Sequence, residues 1–228
     1  QARAYRLSEA KAFTEAMRQK LATTVFYGDV LANPDGFHGL GARYANSDAP
    51  QVIDAGGVTA DKCASIWGRV WGEHEVHGIF PKDSQGGLQH KPLAEQDVFD
   101  DSGNAFRAVG DLFTWNAGLT VRDWRCVVRI CNIDTTKLAL SKGDAGFVDL
   151  HRLTVQAKNL LPPEKRTRLT WYANSDVLTA LELQSTDAGY VHLVYGDLFN
   201  SKGIPLLQGR PIRQVSALLS TENVLTAL

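Results

Sequence analysis

The stretch Trp115–Asp134 reads WNAGLTVRDWRCVVRICNID and decides how the rest of the chain is interpreted. It is rich in β-forming residues and contains three arginines, Arg122, Arg125 and Arg129. Apolar residues occupy the odd positions from 113 to 121 and then the even positions from 124 to 130. Because successive side chains of a strand point to opposite faces, this change of phase predicts a bulge or bend near residues 122–123.

The predicted β segment is long for a chain of this size. Fully extended, residues 112–130 would span about 60 Å. A compact globule of 228 residues measures only about 45 Å across. The segment therefore bends sharply or belongs to an elongated protein, and elongated, arginine-rich β structure favours a building block over an enzyme.

Composition excludes few classes of protein. With 44% hydrophobic and 21% charged residues, the chain is typical of a folded protein of one large or two small domains. The formal net charge of −1 argues against a protein whose main task is to neutralise nucleic-acid phosphates. No apolar run approaches the roughly 18–20 residues of a membrane helix, so no membrane partner is expected.

The cysteines indicate a reducing compartment. Cys63, Cys126 and Cys131 are odd in number and form no CxxC pair. A disulfide framework or a zinc ribbon is therefore not expected.

Secondary-structure signals change along the chain. An amphipathic pattern predicts a helix over residues 8–27, capped by Ser8 and stopped by Gly28. Residues 44–109 look loop-rich with short strands, for which the candidates are residues 65–71 and 75–80. Beyond residue 134 helices and strands alternate: helices are predicted over residues 149–161 and 174–183, and strands over residues 168–172, 190–195 and from 212. A shift in composition at residues 141–143 marks the best domain boundary.

His74-Glu75-Val76-His77 is the most tempting chemical motif. Two histidines with a nearby glutamate could hold a metal ion in a hydrolytic enzyme. However, the motif lacks the HExxH spacing of helical zinc proteases, and on a strand His74 and His77 would face opposite sides. A metal-dependent enzyme is therefore retained only as the alternative hypothesis.

The arginines of the long β segment allow several interpretations. They could bind an anion, pair with carboxylates across a subunit interface, or line a solvated strand face. Arginine and tryptophan together are enriched at protein–protein contacts. The candidate interface residues are Arg122, Trp124, Arg125 and Arg129, with Arg210 and Arg213 near the last strand as weaker candidates.

Several stretches, in order along the chain, resemble one family. They are LSEAKAF (7–13), ATTVFYGD (22–29), NPDGFHGL (33–40), IDAGG (53–57), SIW (65–67), VHGIFPK (76–82), GLQH (87–90), WNAGL (115–119), VRDWR (121–125), NID (132–134), WYAN (171–174), GRPIR (209–213) and TE (221–222). The chain is similar to the major capsid proteins of short-tailed bacteriophages of the Bordetella phage group.

The resemblance implies an α+β fold of the Hong Kong 97 type, with a long helix, long bent β-strands and an α/β axial domain. It implies a peripheral helix with its following turn in residues 1–45, a β-rich peripheral part in residues 46–140 and the axial domain in residues 141–228. It also implies that an N-terminal arm and an extended loop precede the present first residue. A bacterial encapsulating shell protein of the same fold is a further alternative.

The same resemblance implies a structural role without catalysis or cofactor. Copies of the chain would form pentamers and hexamers of an icosahedral shell enclosing double-stranded DNA. Decoration, scaffolding and portal proteins would be further partners. The protein would reside in the virion capsid after assembly in the cytoplasm of the host bacterium.

Overall fold

The computed structural model describes residues 2–186, 193–198 and 201–227. Within these residues the helices are α1 (Ala2–Tyr27), α2 (Leu40–Arg43), α3 (Leu150–Leu160) and α4 (Ser175–Thr186). The strands are β1 (Val52–Asp54), β2 (Cys63–Val70), β3 (Val76–Ile79), β4 (Gln89–Phe99), β5 (Ala105–Thr114), β6 (Gly118–Val121), β7 (Val127–Asp134), β8 (Leu169–Ala173), β9 (Leu193–Leu198), β10 (Ser201–Leu207) and β11 (Arg210–Gln214). Short 3₁₀ turns cover Trp124–Cys126, Thr135–Lys137 and Pro163–Arg168.

The chain forms two compact units. The first comprises Gln1–Arg18 and Gly78–Thr120, and the second comprises Gln19–His77 and Val121–Leu228. The domain boundaries expected between residues 45 and 46 and between residues 140 and 141 remain a prediction.

The second unit is built on a seven-stranded mixed sheet with the order β1-β7-β2-β8-β11-β10-β9. The pairs β1–β7 and β8–β11 are parallel, whereas β7–β2, β2–β8, β11–β10 and β10–β9 are antiparallel. Every residue of β2 and of β7 is buried, because both strands lie inside the sheet and are covered on both faces. The sheet contains strands that precede residue 140 in the chain and strands that follow it.

Aromatic side chains fill one side of the sheet. Trp67 on β2 meets Phe26 at 6.2 Å and Tyr44 at 6.2 Å between ring centroids. Phe26 also meets Tyr172 on β8 at 6.0 Å. The C-terminal turn of α1 is therefore fastened to the two central strands β2 and β8.

Local capping explains the limits of the helices. The Asp149 side chain accepts a hydrogen bond from the backbone N–H of Arg152 at 2.9 Å, and the Asn174 side chain accepts one from Val177 at 2.9 Å. These contacts confirm the two predicted helix starts. At the end of α1, a side chain on Gly28 would collide with the carbonyl oxygens of Thr24 and Phe37, so only glycine fits there.

The start of α1 differs from the prediction. The helix begins at Ala2, so Ser8 lies inside it and is not its cap. In the later part of the chain, the first three residues of the strand predicted over residues 190–195 lie outside the described residues, and β9 begins at Leu193.

The first unit contains the long hairpin β4–β5, which was missed by the sequence analysis. Its turn lies at residues 100–104, where the backbone N–H of Asp100 donates to the Asn104 carbonyl at 3.1 Å. The two strands pair antiparallel from Gln89 opposite Thr114 to Phe99 opposite Ala105, with one register shift between Pro92 and Glu95. The hairpin is exposed along most of its length, so it lacks the alternation that marks a half-buried strand.

The continuous bent strand predicted through residues 112–134 is wrong. β5 ends at Thr114, β6 pairs with β3 in a separate two-stranded sheet, and β7 begins only at Val127. A 3₁₀ turn replaces the expected bulge between β6 and β7. The apolar residues therefore change from odd to even positions because the chain passes from one sheet to another.

Candidate subunit interface

The turn between β6 and β7 holds three of the candidate residues. The Asp123 side chain caps it by accepting from the backbone N–H of Arg125 at 3.1 Å. The Arg125 guanidinium then binds the same carboxylate twice, with Nε–Oδ1 at 3.0 Å and Nη2–Oδ2 at 3.2 Å. From the other side, the Tyr44 hydroxyl donates to the Trp124 carbonyl at 2.8 Å. The turn therefore presents Trp124 and Arg125 from a fixed backbone.

Two buried carboxylates organise the cations around this turn. Lys165 Nζ lies 3.0 Å from Asp123 Oδ2 and 3.5 Å from Glu75 Oε1. Arg168 Nη2 lies 2.7 Å from Glu75 Oε1. The side chains of Glu75 and Asp123 are only 6% and 13% exposed, whereas those of Arg125 and Arg168 are 58% and 52% exposed.

These contacts keep the network charged at neutral pH. Hydrogen bonds from Arg125 and then Lys165 lower the pKa of Asp123, against the opposing effect of burial. For Glu75, burial raises the pKa, but hydrogen bonding to Arg168 and the charges of Arg168 and Lys165 together lower it. The hydrogen bond to Asp123 raises the pKa of Lys165.

The result is a positively charged surface with one large aromatic side chain. Arg122 is also exposed, and its backbone N–H donates to the Glu75 carbonyl at 2.8 Å. Trp124 is 54% exposed. We call these residues the basic surface: Arg122, Trp124, Arg125, Lys165 and Arg168. Glu75 and Asp123 hold three of the four cations, Arg125, Lys165 and Arg168. The exposed Glu164 also lies close enough for its charge to act on Arg125.

Arg129 departs from the expectation that it lies at an interface. It sits on the central strand β7 and is 6% exposed. Its guanidinium donates to Glu222 at 2.9 Å, to the Tyr44 carbonyl at 3.0 Å and to the Ser65 hydroxyl at 3.2 Å. These partners all belong to the same chain, so Arg129 acts inside the fold.

The two weaker candidates lie on or beside the last strand. Arg210 Nη1 donates to the Thr167 carbonyl, and Thr167 precedes Arg168, so Arg210 lies next to the basic surface. Arg213 is exposed on β11, opposite Tyr172 in the register with β8.

The sequence analysis did not identify Lys165 and Arg168 as parts of this surface. In the chain they are brought to Asp123 and Glu75 by the 3₁₀ turn Pro163–Arg168. The only local sign of this surface in the sequence was that Asp123 stands two residues before Arg125, a spacing at which an aspartate can cap a turn.

The motif at residues 74–77 does not form a metal centre in the described structure. The Glu75 carboxylate is held by Arg168 and Lys165, and His74 is exposed. Among the residues described, no group of three His, Cys, Asp or Glu side chains is placed to hold a metal ion. None of the described helices is long and apolar enough to cross a membrane.

The architecture defines the class of protein. A long helix, a mixed sheet and a long exposed hairpin, together with a match to a solved phage structure, define the α+β capsid fold of the Hong Kong 97 type. A structure of bacteriophage Epsilon15, derived at near-atomic resolution from cryo-EM, matches with a TM-score of 0.64 and 28% sequence identity. The match covers 100% of this chain and 69% of the Epsilon15 chain.

The chain belongs to the family of major capsid protein GP7, whose family model matches residues 1–226. No curated protein sequence matches it. Family and fold together confirm the resemblance: the chain is a structural major capsid protein of a tailed bacteriophage, located in the virion capsid and assembling with itself into the shell.

Proposed function

We propose that copies of this chain form pentamers and hexamers that close into an icosahedral shell around double-stranded DNA. The observation that carries the proposal is the basic surface, where the half-exposed Trp124 lies beside the exposed Arg125. Tryptophan and arginine dominate the binding energy of many protein interfaces. Repeated weak contacts between identical subunits add up to a stable closed assembly.

Arg122, Trp124 and Arg125 supply one contact between neighbouring subunits in this proposal. Arg210 and Arg213 supply a second contact near the axis of each pentamer or hexamer. The DNA is held by enclosure and without sequence recognition, which suits a chain with a formal net charge of −1. Scaffolding, decoration and portal proteins are the further proposed partners, and assembly takes place in the host cytoplasm.

Negative-stain electron microscopy of the purified full-length gene product tests the proposal. Closed shells of uniform size, or rings of five and six subunits, are expected. A product that remains strictly monomeric, including in the presence of the other head proteins of the phage, would overturn it.

Arg125→Ala tests the contact itself. Arg125 is exposed and Asp123 keeps Lys165 as a partner, so the variant should lose little stability and its circular dichroism spectrum should remain unchanged. Shell formation should fall, whereas Arg18→Ala, which removes an exposed arginine from α1, should assemble like the wild type. Normal shells from Arg125→Ala would count against the basic surface as an interface.

A further inference from the structure

The connection between α1 and α2 forms a compact loop, residues 29–38, whose two ends lie together. The backbone N–H of Gly39 donates to the Gly28 carbonyl at 2.8 Å. A Cβ on Gly39 would lie 2.8 Å from the Gly28 nitrogen and 2.5 Å from the Thr24 carbonyl oxygen, so only glycine lets the ends meet. We call residues 29–38 the α1–α2 loop. Compact surface loops with adjoining ends are frequently functional.

Hydrogen bonds inside the α1–α2 loop hold its backbone. The backbone N–H of Asn33 donates to the Asp29 carbonyl at 2.9 Å, and that of Leu31 donates to the Asp29 side chain at 3.0 Å. The N–H of Gly36 donates to the Asn33 carbonyl at 3.1 Å, which closes a tight turn at residues 34–35. The proline in this turn restricts the backbone further. A loop held in this way loses little conformational freedom when it binds a partner.

The tip of the α1–α2 loop presents an apolar side chain beside negative charge. Leu31 is 90% exposed, more than any other large apolar side chain among the described residues. Asp35 is exposed as well, and residues 28–39 contain two aspartates and no lysine or arginine. An exposed leucine alone is ordinary. A leucine held by a fixed backbone near a carboxylate suits a surface that is both aromatic and cationic.

Rings of five or six identical subunits restrict what the basic surface can contact. A ring closes through head-to-tail contacts, in which two different surfaces of the same chain meet. Two basic surfaces facing each other would in addition repel. The basic surface therefore needs a different, negatively charged surface of the next copy, with an apolar group for the half-exposed Trp124.

The α1–α2 loop has this chemistry, and it belongs to the same compact unit as the basic surface. We propose that the α1–α2 loop of one copy docks on the basic surface of the next copy in the ring. Leu31 packs against Trp124. Asp35 pairs with Arg122, which in the described part of the chain is the one cation of this surface that neither buried carboxylate holds. This inference rests on the proposed function, because it names the partner of the proposed interface.

Charge exchange between two copies tests the ion pair. In the full-length gene product, Asp35→Lys and Arg122→Glu should each reduce the yield of closed shells at least about tenfold, because each places like charges together. The double variant should restore the yield, because the pair is then reversed. Asp48→Lys makes the same charge change at another exposed turn of the second unit and should assemble like the wild type.

Leu31→Ser tests the apolar part of the contact. Because this side chain is 90% exposed, its loss should leave the urea unfolding midpoint of the chain unchanged, whereas the yield of shells should fall. Val58→Ser removes another apolar side chain, one that is 78% exposed, and should change neither quantity. A lower midpoint for Leu31→Ser would give the leucine a role inside the chain and overturn its assignment to the contact.

Cysteine cross-linking locates the contact without relying on yield. The native cysteines are buried, so Ala32→Cys in the loop and Glu164→Cys beside the basic surface introduce the reactive pair. A disulfide requires the two Cα atoms to approach within about 7 Å. Oxidised shells of the double variant should contain a ladder of covalent oligomers that ends at pentamers and hexamers. Shells assembled from a mixture of the two single variants should give dimers only, and either single variant alone should give none.

The outcomes separate this inference from the proposed function. Normal shells from the loop variants, without cross-links, would overturn the inference and leave the shell function and the Arg125 contact intact. Cross-links without rescue by the double charge variant would support the docking and refute the pairing of Asp35 with Arg122. A wild type that stays monomeric, even with the other head proteins of the phage, would overturn the proposed function and this inference with it.

Discussion

Arg129 and Glu222 form a buried ion pair, with Nη2–Oε2 at 2.9 Å and both side chains 7% exposed. Glu222 also accepts hydrogen bonds from the hydroxyls of Tyr27 and Ser65, each at 2.5 Å. Its backbone forms a β-bridge with Cys63. One carboxylate therefore joins the end of α1, the strands β2 and β7 and the C-terminal segment.

Replacing Glu222 with glutamine should destabilise the chain. The variant keeps the shape of the side chain but leaves the Arg129 charge buried without its counter-ion. We expect the free energy of unfolding to fall by about 3–5 kcal/mol in urea denaturation. Glu9→Gln, which changes an exposed glutamate on α1, should alter it by less than about 0.5 kcal/mol.

Arg69 and Arg129 are both buried, but their replacement by methionine should affect stability differently. Arg69 is 5% exposed and stacks on Trp71, Tyr172 and Phe26, with its guanidinium carbon 3.8, 4.2 and 5.3 Å from the ring centroids. Burial lowers its pKa, and Nε and Nη1 find no hydrogen-bond partner among the described residues.

Arg69→Met exchanges the cation–π contacts for apolar packing and removes the desolvation of a charge, so stability should change by less than about 1.5 kcal/mol. Arg129→Met leaves Glu222 buried and unpaired, so it should cost at least about 3 kcal/mol. Urea denaturation of both variants measures the difference. Equal losses would contradict the view that only Arg129 balances a buried charge.

Asp123 should make the free energy of unfolding depend on pH under acidic conditions. Its pKa is lowered in the folded state, so its stabilising effect is complete above the unfolded value of about 3.9. It is then lost as the pH falls through the lower, folded value. The advantage of the wild type over Asp123→Asn should thus be constant above about pH 5 and shrink below about pH 4.

Urea denaturation between pH 7 and pH 2.5 measures this advantage. Asp35→Asn removes a carboxyl group from an exposed turn and shows the effect of deleting a charge outside the network. An advantage that grows toward low pH would refute the assigned direction.

Gly68 should not tolerate a methyl group. A Cβ there would lie 2.7 Å from Trp171 and 2.8 Å from Val128 in the packed centre of the sheet. Gly68→Ala should therefore cost about 1–3 kcal/mol through overpacking. At Gly78, the nearest atom to a Cβ is the Gly118 carbonyl oxygen at 3.8 Å, so Gly78→Ala should stay within about 0.5 kcal/mol in thermal or urea unfolding.

Helix limits were predictable where the deciding contact is local. Asp149 and Asn174 cap helices through backbone groups three residues away, and such contacts are visible as short patterns. The start of α1 was missed because Ser8 has the chemistry of a cap but lies inside a longer helix. The β4–β5 hairpin was missed because strands exposed on both faces carry no apolar alternation.

The candidate surface was predictable only in part. Trp124 and Arg125 were chosen as candidates because arginine and tryptophan together are enriched at protein–protein contacts. Their cationic neighbours come from residues 165–168, some 40 residues further along the chain, where the sequence resembles any exposed loop. The pairing depends on how the 3₁₀ turn lies against Asp123 and Glu75.

The sequence by itself determined the family, the capped starts of α3 and α4 and the point near residue 122 where the chain passes from one sheet to another. Each of these depends on ordered motifs or on contacts between residues close together in the chain. Only the tertiary structure decided that Arg129 is internal while Arg125 is exposed, although both belong to the same arginine-rich stretch. The difference arises because β7 is a central strand and the partner of Arg129, Glu222, lies 93 residues away. Burial and long-range charge pairing are properties of the folded sheet, and no local pattern encodes them.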